Sequence, residues 1–376
     1  MKIPTMRKNA QRQAGLTLVE LMVALAVSML LLMAVIALYL ANKTTFRFQE
    51  VNSRLQEAGR YAIELVSHDL RNASYTGCGE ISVNTNLVNS STSNWWLDSR
   101  SMIRGYDATT GYPANLTNAD TASDALVVMY RDNESELMIS AHDPTNARFT
   151  LGSNHPFENG EILYATDCRH STVFQMSGPS SGPTALVEHN SGGATTPGNC
   201  SKDLGTSCGA TSRTYTFSTG GFLSRLISKA FYIAPASSGS GNSLYVSSLA
   251  AQTGGQPAIF EILPGVQAMR LRYGVDLNCD GVADRFALAN EVDGFTKCSA
   301  DMPSSWNMVV SAKLELLILG QEMNVATDNQ KFCMDFKGSG DPGVCDATNY
   351  NYVFTASNRA SGRVFSTTVA LRNRVS

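Results

Sequence analysis

The stretch GLTLVELMVALAVSMLLLMAVIALYLA, residues 15–41, decides the architecture of this chain. From Leu16 to Ala41 it is apolar almost without interruption, and about 20 apolar residues suffice to cross a bilayer as a helix. Four basic residues precede it: Lys2, Arg7, Lys8 and Arg12. Because positive charges are retained in the cytoplasm, the sequence predicts residues 1–15 inside the cell and the bulk of the chain outside.

The helix is predicted to continue well beyond the membrane. No proline lies between Leu16 and Ala73, so one helix of roughly 87 Å is expected at 1.5 Å per residue. An apolar stripe with three- and four-residue steps follows the membrane segment: Val51, Leu55, Ala58, Ala62, Leu65, Leu70 and Ala73. Charged residues are expected on the remaining surface: Arg47, Glu50, Arg54, Glu57, Arg60, Glu64 and Asp69. A coiled coil over 44–73 is the alternative, but the stripe is too short for sustained heptads.

From Tyr75 onward the sequence predicts β structure. The candidate strands are rich in Val, Ile, Tyr, Phe and Thr. They are Ala125–Arg131, Glu161–Asp167, Thr172–Met176, Thr214–Phe217, Phe231–Ile233, Ser243–Val246, Val266–Tyr273, Val309–Leu319 and Val364–Leu371. The predicted fold class is therefore α+β, a long N-terminal transmembrane and amphipathic helix packed on a large antiparallel β-rich domain.

Composition, charge and motifs give no support to nucleic-acid binding or to an enzyme. Charged residues make up 16% of the chain, against about 25% in ordinary globular domains. The formal net charge is −3 and falls to about −7 without the four basic residues at the N-terminus, so nothing indicates nucleic-acid binding. The histidines lie far apart without metal-ligand spacing: His68, His142, His155, His170 and His189. With no nucleophile elbow, phosphate loop or metalloprotease motif, an enzyme is not expected.

Eight cysteines follow the apolar segment, and none forms a C-x-x-C pair. In an exported domain this even number predicts disulfides, for which 105 connectivities are possible. Closeness in sequence favours Cys200–Cys208, Cys279–Cys298 and Cys333–Cys345, each worth about 2–4 kcal/mol. Elimination leaves Cys78–Cys168, which would tie the end of the helix to the sheet.

The sequence Gly15-Leu16-Thr17-Leu18-Val19-Glu20 resembles the prepilin peptidase site of type IV pilins and type II secretion pseudopilins. The resemblance implies cleavage after Gly15 and methylation of the new N-terminal residue, Leu16, although the family usually has Phe there. It implies four segments: a cleaved leader (1–15), a transmembrane half-helix (16–41), an amphipathic half-helix (42–73) and an extracytoplasmic β-rich domain (74–376). An ordinary secretory signal would place a small-residue cleavage site after the apolar run.

Glu20 is the acidic residue that the resemblance places at the fifth mature position. A carboxylate costs roughly 2.5–3.5 kcal/mol at the centre of a membrane helix, so it is expected to have a partner. In the family the partner is the α-amino group of a neighbouring subunit, which exists only after cleavage. Glu20 is therefore predicted to act in assembly; the alternative is a carboxylate that simply reaches water at the membrane edge.

Later segments resemble PilW-type minor pilins in the same order along the chain. They are LRNASY (70–75) with GCG (77–79), EILPGV (261–266) with RLRYGVD (270–276), the segment 306–319, and FSTTVALRNR (365–374). The resemblance implies a minor pilin of a type IV pilus that primes assembly, lies at the tip with a large adhesin, and supports twitching, attachment and DNA uptake. The implied partners are other minor pilins, the major pilin, the prepilin peptidase and the inner membrane. The alternative is a J-type minor pseudopilin that initiates the type II secretion pseudopilus.

A calcium site is predicted at Asp276–Asp284. Its oxygen ligands would be Asp276, Asn278, Asp280, the Val282 carbonyl and Asp284, with Gly281 at the sharp bend. Position 12 of the loop is Ala287, so the bidentate Glu of an EF-hand is missing and weak affinity, about 10⁻⁴–10⁻³ M, is expected. The alternative is an Asx-rich turn that bonds to its own backbone.

Overall fold

The structure of the protein is a computed structural model that describes residues 15, 17–79, 83–113, 115–179, 184–192, 195–249, 255–300, 302–339 and 341–374. The predicted leader, apart from Gly15, and the methylated Leu16 lie outside the described residues. The chain divides into two compact units, Met1–Val51 and Asn52–Ser376.

Helix α1 spans Leu18–Asn72, 55 residues and about 82 Å, which confirms one continuous helix. Within the second unit its inward face consists of Leu55, Gly59, Ala62, Val66, Asp69, Leu70 and Ala73, all buried. Ala58 and Leu65 are only half-buried. The prediction for Asp69 was wrong: its side chain is 1% exposed. Residue type alone predicts a surface position for this carboxylate, whereas the helical period places position 69 in the buried stripe.

Eleven strands of the described residues form the larger sheet. They are β1 (Val83–Asn86), β2 (Ile103–Tyr106), β3 (Ala125–Arg131), β4 (Leu137–Asp143), β5 (Arg148–Leu151), β6 (Ile162–Thr166), β7 (His170–Gln175), β8 (Leu186–Glu188), β9 (Phe222–Pro235), β10 (Asn242–Ser248) and β11 (Ala258–Pro264). The 14-residue β9 is its axis. Its first half pairs with β4 and β6, and its second half with β3 and β10.

The strands of a second sheet are β12 (Val266–Val275), β13 (Arg285–Ala287), β14 (Val309–Leu319) and β17 (Gly362–Ala370). Their order is β13–β12–β14–β17, and every pair is antiparallel. A short helix α2 (Ala289–Val292) and a 3₁₀ turn (Ser305–Met308) lie between β13 and β14. The hairpin β15 (Lys331–Phe336) and β16 (Tyr350–Thr355) forms a sheet of its own.

The α+β class is confirmed, with one parallel pair, β1 with β7, among antiparallel neighbours in the described part of the chain. Two apolar cores fill the larger sheet region: one around Trp95, Trp96 and Tyr232, the other around Phe149, Phe174 and Phe217. β3 and β14 have the bounds that the sequence predicts. Both are long runs of apolar and β-branched residues, the pattern from which strands are most readily predicted.

The predicted strand Thr214–Phe217 was wrong: this part of the described chain has no regular structure. The backbone N–H of Phe217 donates to a side chain, Nδ1 of His142, at 3.1 Å instead of to a neighbouring strand. The alternating pattern of the segment reflects the burial of Phe217 beside the half-buried Tyr215, which a packed irregular segment achieves as well as a strand does.

Candidate functional site

The N-terminus of α1 is closed by Thr17 and Glu20. The Thr17 hydroxyl and backbone N–H both donate to Glu20 Oε2 at 2.9 Å, and the Glu20 N–H donates back to Thr17 Oγ1 at 3.3 Å. This is the reciprocal pattern of a capping box, which satisfies N–H groups that have no partner inside the helix. The sequence alone carries the signal for this cap, T-x-x-E at 17–20, just before an apolar run.

The first half of α1 presents bare apolar surface. From Leu18 to Leu40 the large apolar side chains are 50–74% exposed. An 18-residue window of the helix has a mean hydropathy of 2.9, and none of it is buried, so by length and composition the helix can cross a membrane. A contiguous apolar surface of this extent requires a lipid or protein environment.

The second half of α1 is held to the sheet by the buried carboxylate of Asp69. Lys229 Nζ on β9 donates to both Asp69 carboxylate oxygens at 3.0 Å, and Tyr130 Oη on β3 donates to Asp69 Oδ1 at 2.7 Å. Burial, together with the Asp69 carboxylate, raises the pKa of Tyr130 above its ordinary value. The carboxylate thus has three hydrogen bonds from two strands, which fixes the rotation of the helix about its axis.

The C-terminal tail closes the other end of α1. Asn373 Nδ2 donates to the carbonyls of Arg71, Asn72 and Ala73 at 3.2–3.3 Å. Arg374 Nε donates to Ser74 Oγ at 2.7 Å, and its Nη1 donates to the Trp306 carbonyl. The last carbonyls of a helix have no donor within the helix, and the helix dipole favours a cation beside them.

Close backbone approach explains two glycines at the same junction. At Gly59 a Cβ atom would overlap the ring of Phe365 on β17. At Gly77, which has φ +77°, it would overlap the guanidinium of Arg131. Neither position accommodates a side chain without displacing an aromatic ring or a buried guanidinium.

The strand β12 carries two arginines into a buried network. Arg270 Nη1 donates to Asp124 Oδ1 at 2.7 Å, and Arg272 Nε donates to Asp335 on β15. The Asp124 and Asp335 side chains are 4% and 2% exposed. One strand therefore joins the larger sheet, through Asp124, to the β15–β16 hairpin, through Asp335.

Two families match this chain. Residues 10–36 match the prokaryotic N-terminal methylation motif, and residues 230–373 match type IV pilus-assembly protein W. The chain thus carries the two signatures of a PilW-type, prepilin-like protein. Members of these families are structural components of pili, so the PilW-type protein is not an enzyme. No curated protein and no solved structure matches the chain.

The PilW match covers the C-terminal part of the chain. It runs from the second half of β9 to Asn373 and contains the second sheet and the β15–β16 hairpin. Residues 74–229 lie outside both matches, and they include strands β1 to β8. Asn373, the last matched residue, meets the end of α1, which lies about 300 positions earlier in the sequence of the PilW-type protein.

All eight cysteines of the PilW-type protein are paired as expected from their positions in the sequence, and no cysteine is free. The Cα atoms of the pairs are 5.3 Å apart in Cys78–Cys168, 5.9 Å in Cys200–Cys208, 6.3 Å in Cys279–Cys298 and 5.5 Å in Cys333–Cys345. Cys78–Cys168 links the segment after α1 to the turn between β6 and β7.

The acidic loop of the PilW-type protein turns its oxygens onto its own backbone. Asp276 accepts N–H bonds from Cys279 at 2.6 Å and Gly281 at 2.7 Å, and Asp284 accepts one from Leu277 at 2.7 Å. Asp280 Oδ1 accepts the Val282 N–H at 2.8 Å, while Asn278 Nδ2 donates to Asp280 Oδ2 at 3.1 Å. The four side chains lie in one tight turn, as both the calcium site and the Asx-rich turn require. Within the described residues, no three His, Cys, Asp or Glu side chains are grouped to hold a metal ion.

Two histidines that are 47 residues apart in sequence meet in the larger sheet. His142 Nε2 on β4 lies 3.1 Å from His189 Nε2, just after β8. Their contact could not be found from spacing, because it depends on the order of strands β4, β5 and β8. The other histidines lie apart from this pair in the PilW-type protein: His68 on α1, and His155 and His170 each bonded through Nε2 to a backbone carbonyl.

Proposed function

We propose that the protein is a minor pilin that primes assembly of a type IV pilus and lies at the pilus tip. The observation that carries this proposal is the continuity of α1. It begins in the matched methylation motif, runs bare and apolar to Leu40, and ends in a domain that contains the PilW match. A helix of this kind inserts first in the inner membrane and then in a filament, with the domain carried outside.

Processing after Gly15 prepares the subunit for assembly. Cleavage there would leave Leu16 as the methylated N-terminus, one residue before the capping box of Thr17 and Glu20. Glu20 then neutralises the α-amino group of a neighbouring subunit. The capping geometry supports this role, because Thr17 donates to Oε2 of Glu20, and a carboxylate has a second oxygen, Oε1, that can accept from a cation.

A position at the tip is supported by the size of the domain. The unit Asn52–Ser376 contains 325 residues, for which the radius of gyration is about 20 Å. Helices in contact pack about 8–10 Å apart. A domain several times wider than that spacing fits most easily at the end of a filament, where no further subunit is added beyond it.

The partners follow from this placement. Before assembly the subunit is anchored in the inner membrane with its C-terminal domain in the periplasm, and the prepilin peptidase removes the leader. In the filament it contacts other minor pilins and the major pilin, and it carries a large tip adhesin. Twitching, attachment and DNA uptake then depend on it through the pilus.

Deletion of the gene tests this function against the alternative. We expect loss of surface pili and of twitching, both restored by the wild-type gene, with exoproteins secreted normally. Normal piliation together with exoproteins trapped in the periplasm would overturn the proposal and favour the J-type pseudopilin. Intact-mass measurement of the membrane-extracted protein should give a chain that begins at Leu16 plus one methyl group; a start near residue 26 or 41 would contradict processing after Gly15.

We propose in addition that the acidic loop Asp276–Asp284 binds Ca²⁺ weakly. Carboxylate oxygens with unused lone pairs are the ligands that this hard cation takes, and Cys279–Cys298 holds the loop in its bend. Millimolar Ca²⁺ should raise the melting temperature of the full-length protein by a few degrees relative to EDTA. Asp280→Ala should abolish that shift, whereas Asp341→Ala, in the loop between β15 and β16, should retain it. An unchanged melting temperature in the wild type would leave a plain Asx-rich turn.

A further inference from the structure

Residues 200–219 form an irregular segment, here called the strap, that crosses one face of the larger sheet. Most of its side chains are exposed, but Leu204 and Phe217 are buried at 1% and 2% exposure. Cys200–Cys208 closes a loop within it. No strap residue lies in a strand of the described chain. The backbone N–H groups of Cys200 and Cys208 donate to the carbonyls of Leu87 and Asn86 at 2.8 and 3.1 Å, and individual contacts hold the rest of the strap.

Two imidazoles contact the strap directly, and a third lies beneath one of them. Phe217 N–H donates to His142 Nδ1 at 3.1 Å, and His170 Nε2 bonds to the Leu204 carbonyl at 2.7 Å. The ring of Tyr215 stacks on His170 with centroids 4.1 Å apart. His189, which is fully buried, bonds to His142 from below.

The bond from Phe217 determines the protonation of the histidine pair. A backbone N–H can only donate, so His142 Nδ1 accepts and carries no proton. The proton of neutral His142 is then on Nε2, from which it is donated to Nε2 of His189. Two hydrogen bonds in series, here called the relay, join the strap to His142 and His142 to His189. Both rings must be neutral, because an imidazolium has two donors and no acceptor.

A proton on either ring breaks the relay. A proton on His142 Nδ1 would face the Phe217 N–H, and a proton on His189 Nε2 would face the His142 N–H. In each case two donors point at each other and the hydrogen bond is lost. We propose that residues 200–219 are an acid-released strap, which lies on the sheet while His142 and His189 are neutral and detaches when the pair takes up a proton. Detachment exposes the aromatic core around Phe149 and Phe174, against which His142 and His189 pack.

The surroundings keep the pair neutral at ordinary pH. Burial lowers the pKa of His142 to about 4, and burial together with His142 lowers the pKa of His189 to about 3. The titratable and charged groups around the pair come from every neighbouring element: Asp143 on β4, Arg148 on β5, Asp167 and His170 at β6–β7, Glu188 on β8, and Lys202, Asp203, Arg213 and Tyr215 on the strap. Arg148 is paired with Glu188 at 2.7 Å, and Asp203 accepts bonds from Ser212 and Thr214.

Opening of the strap takes up protons, so a lower pH favours the open form. With the strap detached, each histidine returns to a pKa near 6.5 and binds a proton between about pH 6.5 and 4, while the closed form does not. The opening equilibrium constant therefore rises as pH falls, by roughly tenfold per pH unit for each histidine. From pH 7 to 4.5 the pair predicts a rise of roughly 10³–10⁴-fold.

Hydrogen exchange of the full-length protein in detergent tests the strap at pH 7 and pH 4.5, with rates corrected for the intrinsic effect of pH. We expect amides of 200–219 to lose protection by 10²-fold or more at pH 4.5, while amides of β14 keep theirs. The double variant His142→Gln, His189→Phe should lose this pH dependence, and His68→Gln, at an exposed histidine on α1, should retain it. Equal strap protection of the wild type at the two pH values, or the same loss in the double variant, would overturn the proposal.

Discussion

The two halves of α1 are one continuous helix in opposite environments. Between Leu18 and Leu40 the large apolar side chains are at least half exposed, whereas between Leu55 and Ala73 an inward face is buried, some of it completely. The first half is more hydrophobic than the second, yet it is the half without partners in the described chain. Hydrophobicity alone therefore does not indicate which part of this helix belongs to the core.

The two halves of the helix also differ in the kinds of residue that they contain. The second half has the small and complementary residues that a folded domain needs, such as Gly59 beneath Phe365 and Asp69 beside Lys229. The first half has large apolar side chains with one carboxylate and one serine, whose hydroxyl donates to the helix backbone at Leu25, and this composition suits lipid and neighbouring helices. If this is correct, substitutions in the second half change the stability of the domain, and substitutions in the first half change assembly alone.

The largest effect is expected from Asp69→Ala. The change removes the acceptor of three hydrogen bonds and leaves the buried Tyr130 hydroxyl without its partner, while Lys229, 26% exposed, can reach water, so we expect a loss of about 3 kcal/mol. Urea unfolding of the full-length protein in detergent, followed by the fluorescence of its buried tryptophans, measures the loss. Glu57→Ala, on the exposed face of the same helix, is the control and should change the unfolding free energy by less than about 0.5 kcal/mol. Equal changes in the unfolding free energy of the two variants would show that the Asp69–Lys229 pair does not hold α1 to the sheet.

Gly59→Leu should destabilise the domain by about 1–3 kcal/mol, because the new side chain must displace the ring of Phe365. The result would be the reverse of the helix-propensity order, in which Leu stabilises a helix relative to Gly. Ala37→Leu, in the exposed first half, is the matched control and should leave domain unfolding unchanged. A stabilised Gly59→Leu variant would show that α1 does not pack closely on β17.

Asn373→Ala should cost about 1 kcal/mol, since its amide serves three carbonyls at the end of α1 and water can replace part of that bonding. The same urea experiment applies, with Arg372→Ala at the exposed neighbouring position as control. An unaltered midpoint of urea unfolding for Asn373→Ala would mean that the Asn373 side chain does not stabilise the end of α1.

The smallest effect on stability is expected from Glu20→Ala, which should leave the unfolding of the domain unchanged while reducing incorporation into filaments. Piliation is measured in a deletion strain that carries the variant gene. Thr17→Val is the companion change, because it removes the hydroxyl of the capping box and retains the carboxylate. Full piliation by Glu20→Ala would contradict its role in assembly.

Much of the fold was predictable where one segment carries its own signal. The uninterrupted helix, the bounds of β3 and β14, and three of the four disulfides follow from local patterns or closeness in sequence. The fourth disulfide, Cys78–Cys168, followed by elimination. The irregular structure of Thr214–Phe217 was not predictable in this way. Its alternation of apolar residues is compatible with a strand and with a packed irregular segment. In the structure the Phe217 N–H bonds to His142, a residue more than 70 positions away, and not to a neighbouring strand.

The sequence by itself determined that a long apolar helix with a prepilin-like methylation motif leads into a disulfide-bonded β domain, because hydropathy, the motif and the cysteine spacing are read from local stretches of sequence. Only the tertiary structure decided that Asp69 is buried, that Asn373 and Arg374 cap the helix, and that His142 meets His189. Those contacts join residues 47 to 302 positions apart. Which residues meet in these contacts depends on the order of the strands and on close packing. No local pattern in the sequence encodes either of them.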